Sequence, residues 1–129
     1  MRLSTRYGWL GIGALVFLTM VQWGREQEIR PGPAGDDLLG SLPNLAAAIA
    51  LTFVALSAWT AARQDEVARS AAMRMFLICA AISGIGLLAW ELVQTTSQHF
   101  VFDINDIAAT AMGLLLAGAF FRIVMPRAD

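Results

Sequence analysis

Four stretches of apolar residues, separated by short polar segments, dominate the chain. The first, Tyr7 to Trp23, is an uncharged run of 17 residues, long enough at about 1.5 Å per residue to cross most of a hydrocarbon core about 30 Å thick. Trp9 and Trp23 then fall near the two interfaces, where amphipathic rings settle. Arg2 and Arg6 give this run a basic start, as in a cleaved signal peptide, but no small-x-small cleavage site follows Trp23 closely, so it is expected to stay as a helix. Gly24 to Asp37, rich in charge, glycine and proline, is expected to be a loop outside the hydrocarbon. The second run, Leu38 to Ala62, is expected to carry Pro43 in its first turn, where a missing N–H costs little.

A polar hinge from Arg63 to Arg74 leads to a third run, Met75 to Trp90, with an uncharged polar extension past Glu91. The fourth, Ile107 to Phe121, lies between Asp106 and Arg122, and a snorkelling Arg122 lengthens it toward Met125. The pattern predicts an all-α, integral membrane four-helix transmembrane bundle forming a single membrane domain over 1–129. Its helices are expected at about 7–23, 38–62, 73–94 and 105–125. Composition agrees: 57% hydrophobic and 15% charged residues are too apolar for a soluble globule.

The net charge of −1 says little, but the placement of charge says more. All nine basic residues are arginine, and no basic field for nucleic acid exists. Arg2, Arg6, Arg63, Arg69, Arg74, Arg122 and Arg127 fall on one side of the predicted membrane, against Arg25 and Arg30 on the other. The excess of positive residues marks the cytoplasmic side, so both termini are expected inside, in a bacterial inner (plasma) membrane if the source is bacterial. Cys79, the single cysteine, excludes an intramolecular disulfide and reads as a small core hydrophobe.

Within a bilayer, helices associate through small residues. Ala109, Gly113 and Ala117 make such a ridge at spacing four on the fourth helix, and Ala80 with Gly84 repeats it on the third. Thr52, Ser57, Thr60 and Ser83 are expected to bond back to their own helix carbonyls.

Candidate chemistry gathers around the third loop. Glu91 and Gln94 are three apart and share a helix face. Asp103 and Asp106 stand three apart where the fourth helix begins. Asp103 or Asn105 can cap that helix, and acidic residues suit its N-terminal dipole, which is the structural account of the aspartates. Glu91 resists such an account, because a carboxylate near the apolar boundary is costly unless paired, hydrated or protonated. His99, the only histidine, reads as a solvated loop residue. Glu91, Asp103 and Asp106 could supply oxygen ligands to a hard cation, but nothing in their spacing fixes a geometry and no metal or other cofactor is assigned. The chain lacks the GxSxG, HExxH, CxxC, Walker A and Rossmann glycine signatures, so an enzyme is the weaker expectation.

Glu91-x-x-Gln94, then Phe102-Asp103-x-x-Asp106-Ile107, then Gly113 resemble the VanZ-like membrane proteins, with the best match over residues 90–113. That family is similar in size and hydropathy, with a Glu-x-x-Gln end to its third helix and an Arg-x-x-Asp-x-x-Asp-x-x-x-Asn-x-x-Gly run into its fourth. The chain departs from it at Phe100, in place of the arginine, and at Thr110, in place of the asparagine. The family's Asp-Lys pair and histidine at the start of helix two correspond to Asp36-Asp37 and Gly40.

The resemblance implies a role in the cell envelope, associated with low-level glycopeptide resistance, with Glu91, Gln94, Asp103 and Asp106 as ligand or headgroup contacts. The competing expectation is an accessory subunit of a larger membrane complex, respiratory or photosynthetic, without its own catalysis. Membrane lipid is the expected partner in both cases. A transporter is a weaker fit, because four short spans line a pathway only as an oligomer.

Overall fold

The computed structural model describes residues 1–27, 32–63, 67–94 and 104–125. Among these residues it contains four α-helices: α1 Leu3–Glu26, α2 Pro33–Ala61, α3 Arg69–Gln94 and α4 Ile104–Val124. Each is long and apolar enough to span a membrane. The all-α four-helix bundle expected from the apolar runs is the fold observed, and its class is that of a multi-pass membrane protein.

The helices are longer than the apolar runs, because a helix continues to satisfy its own backbone after it leaves the hydrocarbon. Helix α1 extends through the charged Arg25 and Glu26, and α2 starts at Pro33. Both ends of the segment expected to be loop, Gly24 to Asp37, are therefore helical. The start of α2 has a local cause: Gly32 adopts φ +107°, a backbone region that side chains disfavour, and Pro33 supplies the preset φ of a first helical residue. Pro43 thus lies inside α2 and not in its first turn, where it removes one backbone hydrogen bond.

Successive helices run antiparallel. The hydroxyl of Ser57 on α2 donates to the Ser4 carbonyl on α1 at 2.8 Å. This pairs the end of α2 with the start of α1, and it replaces the back-bond within α2 expected for Ser57. The start of α1 also meets the end of α4, where Arg6 donates to the Val124 carbonyl at 3.5 Å. The start of α1 and the end of α4 therefore lie at one end of the bundle, called the terminal end below.

Helix α2 is the hub, packing against all three others. Ala46, Ala48 and Ala50 on it are buried and let neighbouring backbones come close. A Cβ on Gly113 would lie 2.5 Å from the Leu45 carbonyl oxygen and 2.9 Å from the Ala48 Cβ, so α4 touches α2 through a position that only glycine fits. Gly11 does the same for α1, where a Cβ would stand 2.8 Å from Val54. Of the expected ridge on α4, Gly113 and Ala117 are buried, whereas Ala109 is half-buried on the wall of a groove. Gly84 on α3 is buried facing Leu114 of α4, and Ala80 beside it is half-buried.

The four helices meet in one aromatic cluster with a ring from each: Tyr7, Phe53, Phe76 and Phe121. Ring centroids lie 6.0 Å apart for Tyr7 and Phe53, 5.8 Å for Tyr7 and Phe121, and 4.5 Å for Phe76 and Phe121. The Tyr7 hydroxyl donates to the Met125 sulfur at 3.2 Å, so the polar tip of a buried ring is satisfied. Cys79 is buried in the same cluster, as a core hydrophobe. Outward, the helices present Ile12, Phe17, Met20, Ile82, Ile85 and Leu115. A water-facing protein would hide these side chains; lipid solvates them.

Candidate functional site

Helix α3 buries Ala72, Phe76, Cys79 and Ser83 at spacings of three and four, with Gly84 beside Ser83, and this stripe continues to Glu91, seven residues beyond Gly84. The face that packs inward therefore carries a carboxylate at the end opposite the termini. Glu91 is 2% exposed, although its neighbour Trp90 is 60% exposed on the outside of the same turn. A buried carboxylate requires donors, and one comes from α2: the Asn44 amide nitrogen donates to Glu91 Oε1 at 3.0 Å. Glu91 Oε2 is buried with no hydrogen-bond partner among the described residues.

The depth of the pair follows from helix geometry. Asn44 lies seven residues past Asp37, the last charge before the apolar part of α2, or about 10 Å along the axis. Asn44 is half-buried and Glu91 almost wholly so, which places the pair inside the bundle below its polar rim. Desolvated there, a lone acceptor costs about 1–3 kcal/mol, and more if charged.

The other residues expected at the site stand around this pair in different ways. Gln94 is half-buried in the last turn of α3, one turn from Glu91. Asp106 lies in the first turn of α4, half-buried, and its carbonyl accepts a 2.9 Å bond from the Thr110 hydroxyl. Thr110, at the position where the VanZ-like pattern has asparagine, thus spends its donor on its own helix. Asp103 and His99 lie outside the described residues. Among the described residues, no group of three His, Cys, Asp or Glu side chains is close enough to hold a metal ion.

Helix α2 also contributes to the site, through Asn44. Asn44 follows Pro43 in an apolar run, and nothing in the neighbouring residues of α2 marks it as a partner of Glu91. A polar residue about 10 Å inside an apolar helix was the available signal. A separate groove of about 290 Å³ opens nearby between α2 and α4, lined by Asp37, Ser41 and Leu45 on one side and Asn105, Ala109 and Met112 on the other. Its lining includes neither Glu91 nor Asn44.

Fold and site together define a multi-pass α-helical membrane bundle with a buried carboxylate–amide pair near one end. Comparison with protein-family models, with curated proteins and with solved structures finds no match.

Proposed function

We propose that this chain is a VanZ-like protein of the bacterial inner membrane, with both termini cytoplasmic, whose exoplasmic end holds a polar ligand on Glu91. The observation that carries this reading is the carboxylate itself: 2% exposed, bonded through one oxygen to Asn44, with the other oxygen unpartnered among the described residues. A carboxylate so placed recognises a hydrogen-bond donor or a cation, because an acceptor is what it offers. The ligand class is therefore a headgroup bearing hydroxyl, amide or ammonium groups, or a small cation, with Gln94, Asp103 and Asp106 as further contacts. Cell-envelope intermediates linked to lipid belong to that class.

The arginines support the orientation: among the described residues Arg2, Arg6, Arg63, Arg69, Arg74 and Arg122 lie toward the terminal end, against Arg25 at the other. In a Cys79→Ala background, Ala62→Cys is expected to react with an impermeant maleimide only after the membrane is opened, and Gln27→Cys in intact spheroplasts. The reverse pattern refutes the orientation.

For the site, cells expressing the protein are compared with cells expressing Glu91→Gln, which keeps the shape and removes the acid. Loss of glycopeptide tolerance at equal expression is the expected result; unchanged tolerance counts against a ligand role for Glu91. Comigration with a large complex after gentle detergent extraction would favour the accessory-subunit alternative.

A further inference from the structure

The terminal end of the bundle holds a second polar feature, unrelated to Glu91. Between the end of α2 and the first turns of α3 lies a groove of about 290 Å³, lined by Trp59, Arg63, Ser70, Ala71, Arg74, Met75 and Ile78. Its walls combine two guanidinium side chains, Arg63 from just past the end of α2 and Arg74 from α3, with one hydroxyl, one indole and an apolar floor. We propose that this groove binds the phosphate-bearing headgroup of an anionic phospholipid.

The argument begins with charge and its presentation. Arg63 lies over Trp59, its guanidinium carbon 4.5 Å from the ring centroid. A guanidinium that meets a ring through its face keeps its edge, which carries the N–H donors, for an anion. An edge so presented matches two phosphate oxygens at once. Arg74 brings the second positive charge from α3, and Ser70 brings a hydroxyl donor. Ser70 and Ala71 also lie in the first turn of α3, where backbone N–H groups lack intrahelical acceptors and the helix dipole favours an anion. Along this stretch Arg63, Arg69 and Arg74 outnumber Asp65 and Glu66, which lie outside the described residues.

A free phosphate would satisfy the polar half of the groove, but the apolar half needs another occupant. Met75 and Ile78 continue the floor down α3, and Ile82 and Ile85 carry on along its lipid-exposed surface. From Arg74 to Ile85 this is eleven residues, or about 16 Å, a length suited to an acyl chain lying along the helix. A phospholipid joins both halves in one molecule: phosphate to the arginines, chain to the isoleucines. Trp59, half-buried at the membrane boundary, lies where an interfacial ring and a headgroup meet.

The test uses Trp59 as its own reporter, after Trp9→Phe, Trp23→Phe and Trp90→Phe leave it the sole tryptophan. The full chain is reconstituted in phosphatidylcholine vesicles, and quenching of Trp59 is compared for brominated phosphatidylglycerol and brominated phosphatidylcholine. Phosphatidylglycerol is expected to be preferred roughly fivefold or more, because each basic residue at a membrane surface favours anionic lipid about fivefold. Arg63→Gln/Arg74→Gln should bring the preference close to parity, while Arg2→Gln/Arg6→Gln, at the same end but outside the groove, should retain it. Ser70→Asp, which puts a like charge in the groove, gives an independent loss should the double variant fail to fold. Parity in the parent protein overturns the proposal. So does an equal loss in Arg2→Gln/Arg6→Gln, which would make the preference a property of the whole face. Parity between the two lipids together with a saturable change in Trp59 emission on adding inorganic phosphate would assign the groove to the free anion.

Discussion

Gly113 carries the most direct test of how the bundle is held together. In Gly113→Ala the new Cβ would lie 2.5 Å from the Leu45 carbonyl oxygen, 2.9 Å from the Ala48 Cβ and 3.1 Å from the Leu45 Cα. Close carbon–oxygen contacts lie at about 3.3–3.6 Å, so α4 must retreat from α2 by roughly 1 Å. Two of the three obstructing atoms are backbone, and no rotamer change can clear them. Overpacking of this kind costs about 1–3 kcal/mol, against which alanine recovers up to about 1 kcal/mol of helix propensity. The net expectation is a loss of about 1–2 kcal/mol, read from an SDS titration of the protein in dodecyl maltoside followed by circular dichroism. Two glycines on α3 calibrate it. Gly86→Ala meets nothing within 4 Å and should be neutral or slightly stabilising, and Gly84→Ala meets only the flexible tip of Leu114 at 2.9 Å and should fall between. If Gly113→Ala proves as stable as Gly86→Ala, the close approach of α2 and α4 is refuted.

Other consequences are read in the same titration. Asn44→Leu removes the donor to Glu91 Oε1 and should cost about 1–3 kcal/mol, with part of the loss recovered in Asn44→Leu/Glu91→Leu; purely additive losses would show that the two side chains are not coupled. Tyr7→Phe removes only the bond to Met125 and should cost about 1 kcal/mol or less. Tyr7→Ala empties a position at the centre of the aromatic cluster and should cost about 3–5 kcal/mol, so similar values for the two variants would contradict that account.

The site was legible only in part. Glu91 was singled out because an acid beside Trp90 at an apolar boundary is costly, and its burial makes that cost concrete. Asn44 is not legible in the same way, because its partner is forty-seven residues away and nothing local in α2 announces a contact with α3. Ser57 was assigned to its own helix for a similar reason: a hydroxyl can reach back to its own turn or across to a neighbour, and only the approach of α1 decides which. Thr52 and Thr60, away from that contact, do bond to their own helix, at 2.7 Å to Ala48 and 2.9 Å to Leu56.

By itself the sequence determined the number of helices and their membrane-spanning character. Both follow from the length of the apolar runs and the cost of unbonded backbone in hydrocarbon. Which face of each helix points inward was a different matter, because lipid accepts apolar side chains as readily as a protein core does, and hydropathy then distinguishes no inside from outside. Size decides instead: Gly8 and Gly11 form the seam of α1 against α2, where a Cβ at Gly8 would stand 3.2 Å from the Ser57 hydroxyl. The choice of α2 as hub and the meeting of Asn44 with Glu91 are products of that packing. They depend on which backbones come close, a property of pairs of helices that no single run of residues contains.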